Sequence, residues 1–334
     1  WNNWEDANID FRVGPKYGND NINSPGIGLN MAVFNRRNAF RISSIIVGAG
    51  LLFYLFSSTD GQFIDYIKSL RVETLAKLFA VYLVILLLDI LRLLMILHPN
   101  KKSMNSLSFR GIILAPSLNM LFPGRAGDIN ALVASKSSDW PLAQRTRNLV
   151  LLRLTDLVIL SCFAALLATS IVDIEMSISI IIISLFAFLF TYKMLPHFIE
   201  KFATIVNLPI GEFKAEEDKI AINRFVITGF SSTIFWTIQG LFTYLIILSF
   251  GVDSMSALAV ISALSVANLS KIIPITPGGV GIYENALSLA LVQLGDLSIE
   301  TAGSIALVDG IFRYILTASI PWLGLAINST NSEV

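Results

Sequence analysis

The chain has 334 residues, 54% of them hydrophobic and 14% charged, with 24 basic and 24 acidic side chains and a net charge of zero. Soluble proteins carry about 25% charged residues, so the composition excludes that class, and the zero balance gives no electrostatic footprint for nucleic acid. One cysteine, Cys162, excludes an internal disulfide and a cysteine-based metal site. The two histidines, His98 and His197, stand far apart, so no metal, cofactor or catalytic cysteine–histidine pattern can be assembled.

Residues 1–38 form a polar N-terminal tail rich in Asn and Gly, punctuated by Pro15 and Pro25 and carrying Trp1, Trp4, Phe11 and Tyr17. The first residue is Trp rather than Met, which suits a fragment or processed form, and the charged-then-apolar build of a signal peptide is missing. The tail reads either as the end of a soluble domain or as a flexible arm whose aromatics dip into the membrane interface. Residues 39–334 form the integral membrane domain. About 20 apolar residues cross a hydrocarbon core. Spans are predicted at about 39–57, 74–97, 149–171, 178–194, 225–250 and 301–327. Residues 60–71 read as a short polar link, and 129–148 as an interfacial amphipathic segment or an ordinary loop.

Two further apolar runs are broken. Ile112–Phe122 is too short to span and ends at Pro123-Gly124-Arg125-Ala126-Gly127-Asp128. Val252–Ile273 ends at Pro274-Ile275-Thr276-Pro277-Gly278-Gly279-Val280-Gly281-Ile282-Tyr283-Glu284, with the apolar Ala286–Leu294 beyond. Such proline and glycine content cannot continue a helix, and lipid tolerates irregular backbone only where protein or water satisfies it. Both read as re-entrant broken helices, with the restarting helix aiming free N–H groups and its positive dipole end into the break. Such breaks are the usual pointer to a transporter's binding site. For the second stretch alone, a loop at the membrane surface is the competing reading. The flanks also correspond. Asp89 and Arg92 precede the first break and Gln239 the second; Arg153 with Asp156 follow the first, and Asp309 with Arg313 the second. This weak internal repeat has halves at about 74–171 and 225–327.

Lysine and arginine concentrate before the first span and at 98–110, 125–147 and 193–224, whereas the turns 172–176, 250–254 and 296–300 contain none. The positive-inside rule then places the basic loops and both termini in the cytoplasm of a prokaryotic plasma membrane. The expected fold is an all-α polytopic membrane protein, with about six transmembrane helices plus two re-entrant broken helices in an inverted repeat. Were the second element two complete short spans, the even count would survive but the inversion would weaken.

Pro123-Gly-Arg-Ala-Gly-Asp128, Arg153-x-x-Asp156, Pro277-Gly-Gly-Val-Gly281-x-x-Glu284 and Arg313 together resemble the lysylphosphatidylglycerol synthase transmembrane region. This is the flippase-like membrane domain of the multiple peptide resistance factor and its stand-alone relatives. The resemblance covers roughly residues 40–327, and the element around Pro277 is its most specific part. The family's first motif usually ends in glutamate, and Asp128 retains that charge with a shorter reach. An aminoacyl-transferase domain follows the membrane domain in the best-known members, and some relatives carry or accompany glycosyltransferases acting on polyprenyl-phosphate sugars. The resemblance implies lipid translocation more than any particular lipid.

Arg92, Arg153 and Arg313 stand in apolar segments, where charge is costly and usually functional. Arg125 and Lys271 stand at the two breaks. With the helix N-termini they would form two anion sites, one opening to each leaflet, for a phospholipid phosphate or a phosphorylated polyprenol. Asp89, Asp128, Asp156, Glu284 and Asp309 would hold the arginines or bind a cationic part of the head group. Arg153–Asp156 and Asp309–Arg313 also have the spacing of simple ion pairs that lock helices. The expected function is a lipid flippase or scramblase. The alternative is a membrane subunit presenting a lipid acceptor to a soluble transferase, or taking part in the transfer. The expected partner is therefore a membrane lipid with an anionic head group. No nucleotide motif is present, and the sequence leaves a homo-oligomer open.

Overall fold

The structure is a computed structural model describing residues 26–98, 104–122, 125–138, 140–171, 222–272 and 275–330, with scattered positions between 175 and 190. The chain divides into two compact units, residues 1–42 and 43–334. Of the first unit, residues 26–42 are described, and they are helical. Helix α1 is Gly26–Ser57, so helix begins well before the start expected at residue 39. No proline interrupts that stretch.

In the second unit α1 ends at a turn through Asp60 and Gly61, both with positive φ. Residues 60–71, expected as a polar link, hold helix α2 (Gln62–Ser69), bent 83° from α1. Polar and apolar positions alternate there at helical spacing, so Phe63 and Tyr66 pack into the core while Asp65 and Lys68 stay outside. Helix α3 (Val72–Leu97) follows, then α4 (Ser106–Leu121), whose N-cap Asn105 accepts from the Ser108 amide at 2.8 Å. The first break separates α4 from α5 (Ala126–Ala134). A 3₁₀ turn leads into α6 (Leu142–Ile171). The segment 129–148 is not one element. Its first part completes the broken element, and its last part is the start of α6. After α7 (Ile222–Ser249), the second broken element comprises α8 (Ala257–Leu269), a 3₁₀ turn, the break and α9 (Ile282–Gly295). Helix α10 (Ile299–Thr330) ends the described chain.

Among the described residues, four helices are long and apolar enough to cross a membrane, namely Val72–Leu97, Leu142–Ala165, Val226–Ser249 and Ile299–Trp322. The bent pair α1–α2 would make five. The span expected at 178–194 lies largely outside the described residues. No strand occurs among those described. The chain is an all-α polytopic membrane protein.

Apolar side chains gain little from leaving lipid, so helix association here depends on close packing. Small residues supply it: Ala263, Ser265 and Ala267 of α8 and Ala302, Ser304 and Ala306 of α10 are all buried. Each broken element folds on itself, α4 on α5 and α8 on α9. Each also crosses to the last helix of the opposite half, α4 on α10 and α8 on α6, while α3 packs on α7. The contacts of the two halves are therefore reciprocal.

Candidate functional site

The second break meets the end of α4. Gly278 has φ 62°, a left-handed conformation that glycine adopts at no steric cost, and a Cβ there would sit 2.5 Å from the Met120 carbonyl oxygen at the end of α4. Beside this junction lies a cavity of about 440 Å³, within the size range of small-molecule sites, about 300–1,000 Å³. Helical periodicity brings its residues together. On α3, Tyr82, Ile85, Leu86 and Asp89 follow an i, i+3, i+4, i+7 stripe, and α7 supplies Trp236 and Gln239. Four cationic side chains line the cavity, Arg125, Arg153, Lys271 and Arg313, against two carboxylates, Asp89 and Asp156.

The internal arginines are anchored. Arg153 gives Asp128 a parallel bidentate pair, Nε to Oδ2 at 2.8 Å and Nη2 to Oδ1 at 2.6 Å, and gives Asp156 a longer bond at 3.3 Å. Asp128 also accepts from Asn119 Nδ2 at 2.9 Å, while its own amide donates to Asn119 Oδ1 at 3.1 Å. The aspartate reaches because α5 approaches so closely: a Cβ on Gly127 would lie 1.9 Å from the Ala115 carbonyl oxygen. Asp156 accepts in addition from Arg92 and from Trp236 Nε1 at 3.1 Å. In the other half, Arg313 donates to Asp309 at 2.5 Å, to the Gln239 side chain and to Thr243 at 3.0 Å. Asp309 also accepts from Thr243 at 2.7 Å and from the Tyr283 hydroxyl at 2.6 Å. Each cluster therefore ties a restarted half-helix to the last helix of its own half and to α7 or α3.

The cations at the breaks are held more loosely. Lys271 Nζ lies 4.5 Å from the Tyr283 ring centroid and makes no hydrogen bond or ion pair among the described residues. Arg125 is exposed and has one 3.6 Å contact with Asp128. Asp89 faces the cavity, also with no hydrogen bond or ion pair among the described residues. At the mouth, Phe122 and Ile272 are 51% and 56% exposed, so an apolar rim borders the cationic interior.

Not every expected site residue faces the cavity. Arg92, Asp128 and Asp309 stand behind its wall. Glu284 caps α9, accepting from the Gly281 amide at 2.6 Å, and packs over Gly310, where a Cβ would fall 2.3 Å from Oε1. Gly278 and Gly279 line the cavity, whereas Gly127, Pro277 and Gly281 shape the breaks around it. Pro123 and Gly124 lie outside the described residues. Arg125 and Lys271, expected in separate sites, face the same cavity. Asn119, Trp236, Thr243 and Tyr283 were not singled out from sequence. Ser232, Trp236, Gln239 and Thr243 follow a 4-3-4 spacing on an otherwise apolar helix, and that stripe was the available signal.

Residues 41–320 match the lysylphosphatidylglycerol synthase TM region. The chain belongs to this family. It is also similar to a protein of Haloferax volcanii described as glycosyltransferase AglD, with 29% identity over 123 residues. That match covers 35% of this chain and 20% of the relative. No solved structure gives a significant match.

Proposed function

We propose that this family member moves a lipid with an anionic head group, a phospholipid or a polyprenyl-phosphate-linked lipid, between the two leaflets. The supporting observation is the shared cavity: cations from both breaks face one space, with Lys271 unpaired among the described residues and an apolar rim at the mouth. A phosphate would accept from Arg125 and Lys271. Arg153 uses three of its five N–H groups on Asp128 and Asp156, leaving two for a deeper contact. Asp89 would meet a cationic or hydroxyl part of the head group, and the tails would pass Phe122 and Ile272 into the bilayer. Rocking of the two halves about the junction of Gly278 with the end of α4 would change which side the cavity faces.

The test is reconstitution in liposomes with fluorophore-labelled phospholipid or polyprenyl phosphate and an impermeant quencher. Faster quenching of inner-leaflet lipid than in protein-free vesicles, slowed by Arg125→Gln with Lys271→Gln, is the expected result. Equal rates with and without protein would remove translocation from the reading. The similarity to a protein described as a glycosyltransferase supports a second reading, in which the cavity presents a lipid acceptor to a transferase. Lipid binding that depends on Lys271, without any leaflet exchange, would favour it.

A further inference from the structure

A second recess lies across the Arg92–Asp156 contact, between α3 and the starts of α6 and α7. Its volume is about 770 Å³ and its wall is mostly aliphatic, including Leu88, Leu91 and Met95. Two lining side chains do not belong in such a wall. Arg92 is 1% exposed and gives Nη2 to Asp156 and Ser232, while Nε and Nη1 have no acceptor among the described residues. Asn148 is 3% exposed and donates to the Ile96 carbonyl at 3.2 Å, while its Oδ1 has no donor among them. Buried polar groups in native proteins are almost always satisfied, so donors and an acceptor left in one groove point to a ligand that completes them.

The groove has an order. The Ile96 contact sets Asn148 one helical turn from Arg92 along α3, about 6 Å. His98 and Trp140 line the groove beyond Asn148, where α3 ends and amphipathic rings suit a membrane interface. Leu88 and Leu91 lie on the other side of Arg92. Polar end, acceptor, guanidinium and aliphatic wall follow the sequence of head group, linkage oxygens and chain in a membrane lipid. We propose that this groove is a second lipid site. A lipid chain lies along Leu88 and Leu91, a phosphate or carbonyl oxygen accepts from Arg92, and a hydroxyl or amine donates to Asn148. Dissolved phosphate would leave the aliphatic wall unfilled. The site does not rest on the translocation reading, because a lipid held here need not cross the membrane.

The test places benzoylphenylalanine at Leu91 in the full chain in its native membrane, with the same group at the exposed Leu241, outside the groove, as control. After irradiation, mass spectrometry identifies the adducts. The expected adduct at Leu91 is one lipid class enriched over the Leu241 profile, falling to the control level when Ser231→Trp fills the groove from α7. Asn148→Leu should shift the adduct toward lipids lacking a donor in the head group. Four results would overturn the site: a Leu91 profile identical to the control, an adduct to a peptide of this chain, no adduct, or displacement by inorganic phosphate alone. Among the described residues Ser231 bonds just the Thr228 carbonyl of its own helix, so its variant keeps the test decisive if Arg92 variants fail to fold.

Discussion

Arg153→Ala removes the group that holds both oxygens of Asp128 at 2.8 and 2.6 Å and reaches Asp156 at 3.3 Å. Breaking a buried pair strands the remaining charge, at roughly 3–5 kcal/mol. Two features place this case at the lower end. The Arg153 side chain is 18% exposed, and Asp128 retains the Asn119 amide at 2.9 Å. A loss of about 3 kcal/mol, roughly a hundredfold in the folded-to-unfolded ratio, is therefore expected. Asp128→Ala should cost less, because Arg153 still has Asp156. The double variant strands neither charge and should recover much of the Arg153→Ala loss, giving a coupling of about 2 kcal/mol. Arg153→Lys keeps the charge but loses the fork, and should fall between wild type and alanine. Denaturation in detergent micelles, followed by tryptophan fluorescence, measures all four proteins. Single losses that add to the double within about 0.5 kcal/mol would refute the pairing argument. A stable double variant that still moves lipid at the wild-type rate would assign the pair to scaffolding alone.

Gly127→Ala should lower thermal stability, because its Cβ would meet the Ala115 backbone; Gly229→Ala, with nothing within 4 Å, should leave it equal or raise it by about 0.5–1 kcal/mol. The opposite order in a thermal scan would contradict the packing of α4 on α5. Among the described residues Lys271→Gln loses a ring contact and no hydrogen bond or ion pair, so the melting temperature should hold while co-purified lipid, weighed by mass spectrometry, decreases. A lower melting temperature with unchanged lipid would make Lys271 structural. In a Cys162→Ser background, Leu297→Cys should react with an impermeant thiol reagent from outside and Asn105→Cys only after permeabilisation. Labelling of both from one side would contradict the charge-based orientation.

The broken elements were legible because proline and glycine interrupt apolar runs at both Pro123 and Pro277, whatever the tertiary context. Helix ends were less so. The start of α6 at Leu142 carries Arg145, and only the fold shows that Arg145 turns back to the Leu132 carbonyl at 2.8 Å and is buried. Of the arginines singled out as charges in apolar segments, Arg92 and Arg313 are buried and Arg153 is partly so. Spacing along one helix suggested Asp156 as the partner of Arg153, yet the bidentate partner is Asp128, from the restarted half-helix. Pairing of that kind depends on how hairpins cross to distant helices, and no local periodicity records it. Glu284 shows the same limit: its position suggested a partner for the arginines or a head-group contact, and its bond from the Gly281 amide is visible only in the fold.

The exchange of partners between the halves has a consequence for biogenesis. Ser117 in α4 donates to the Thr317 carbonyl of α10 at 2.6 Å, across 200 residues of chain. At about 5–20 residues synthesised per second, α4 and α5 wait on the order of 10–40 s for the helix that completes their packing. During that interval the end of α4 has no Gly278 to pack against, and irregular backbone beyond it must be satisfied by water or by the insertion machinery rather than by lipid. A ribosome stalled between α6 and α10 would therefore leave an exposed, unfinished hairpin, a ready target for membrane proteolysis. Newly made chains should become protease-resistant only after α10 has emerged.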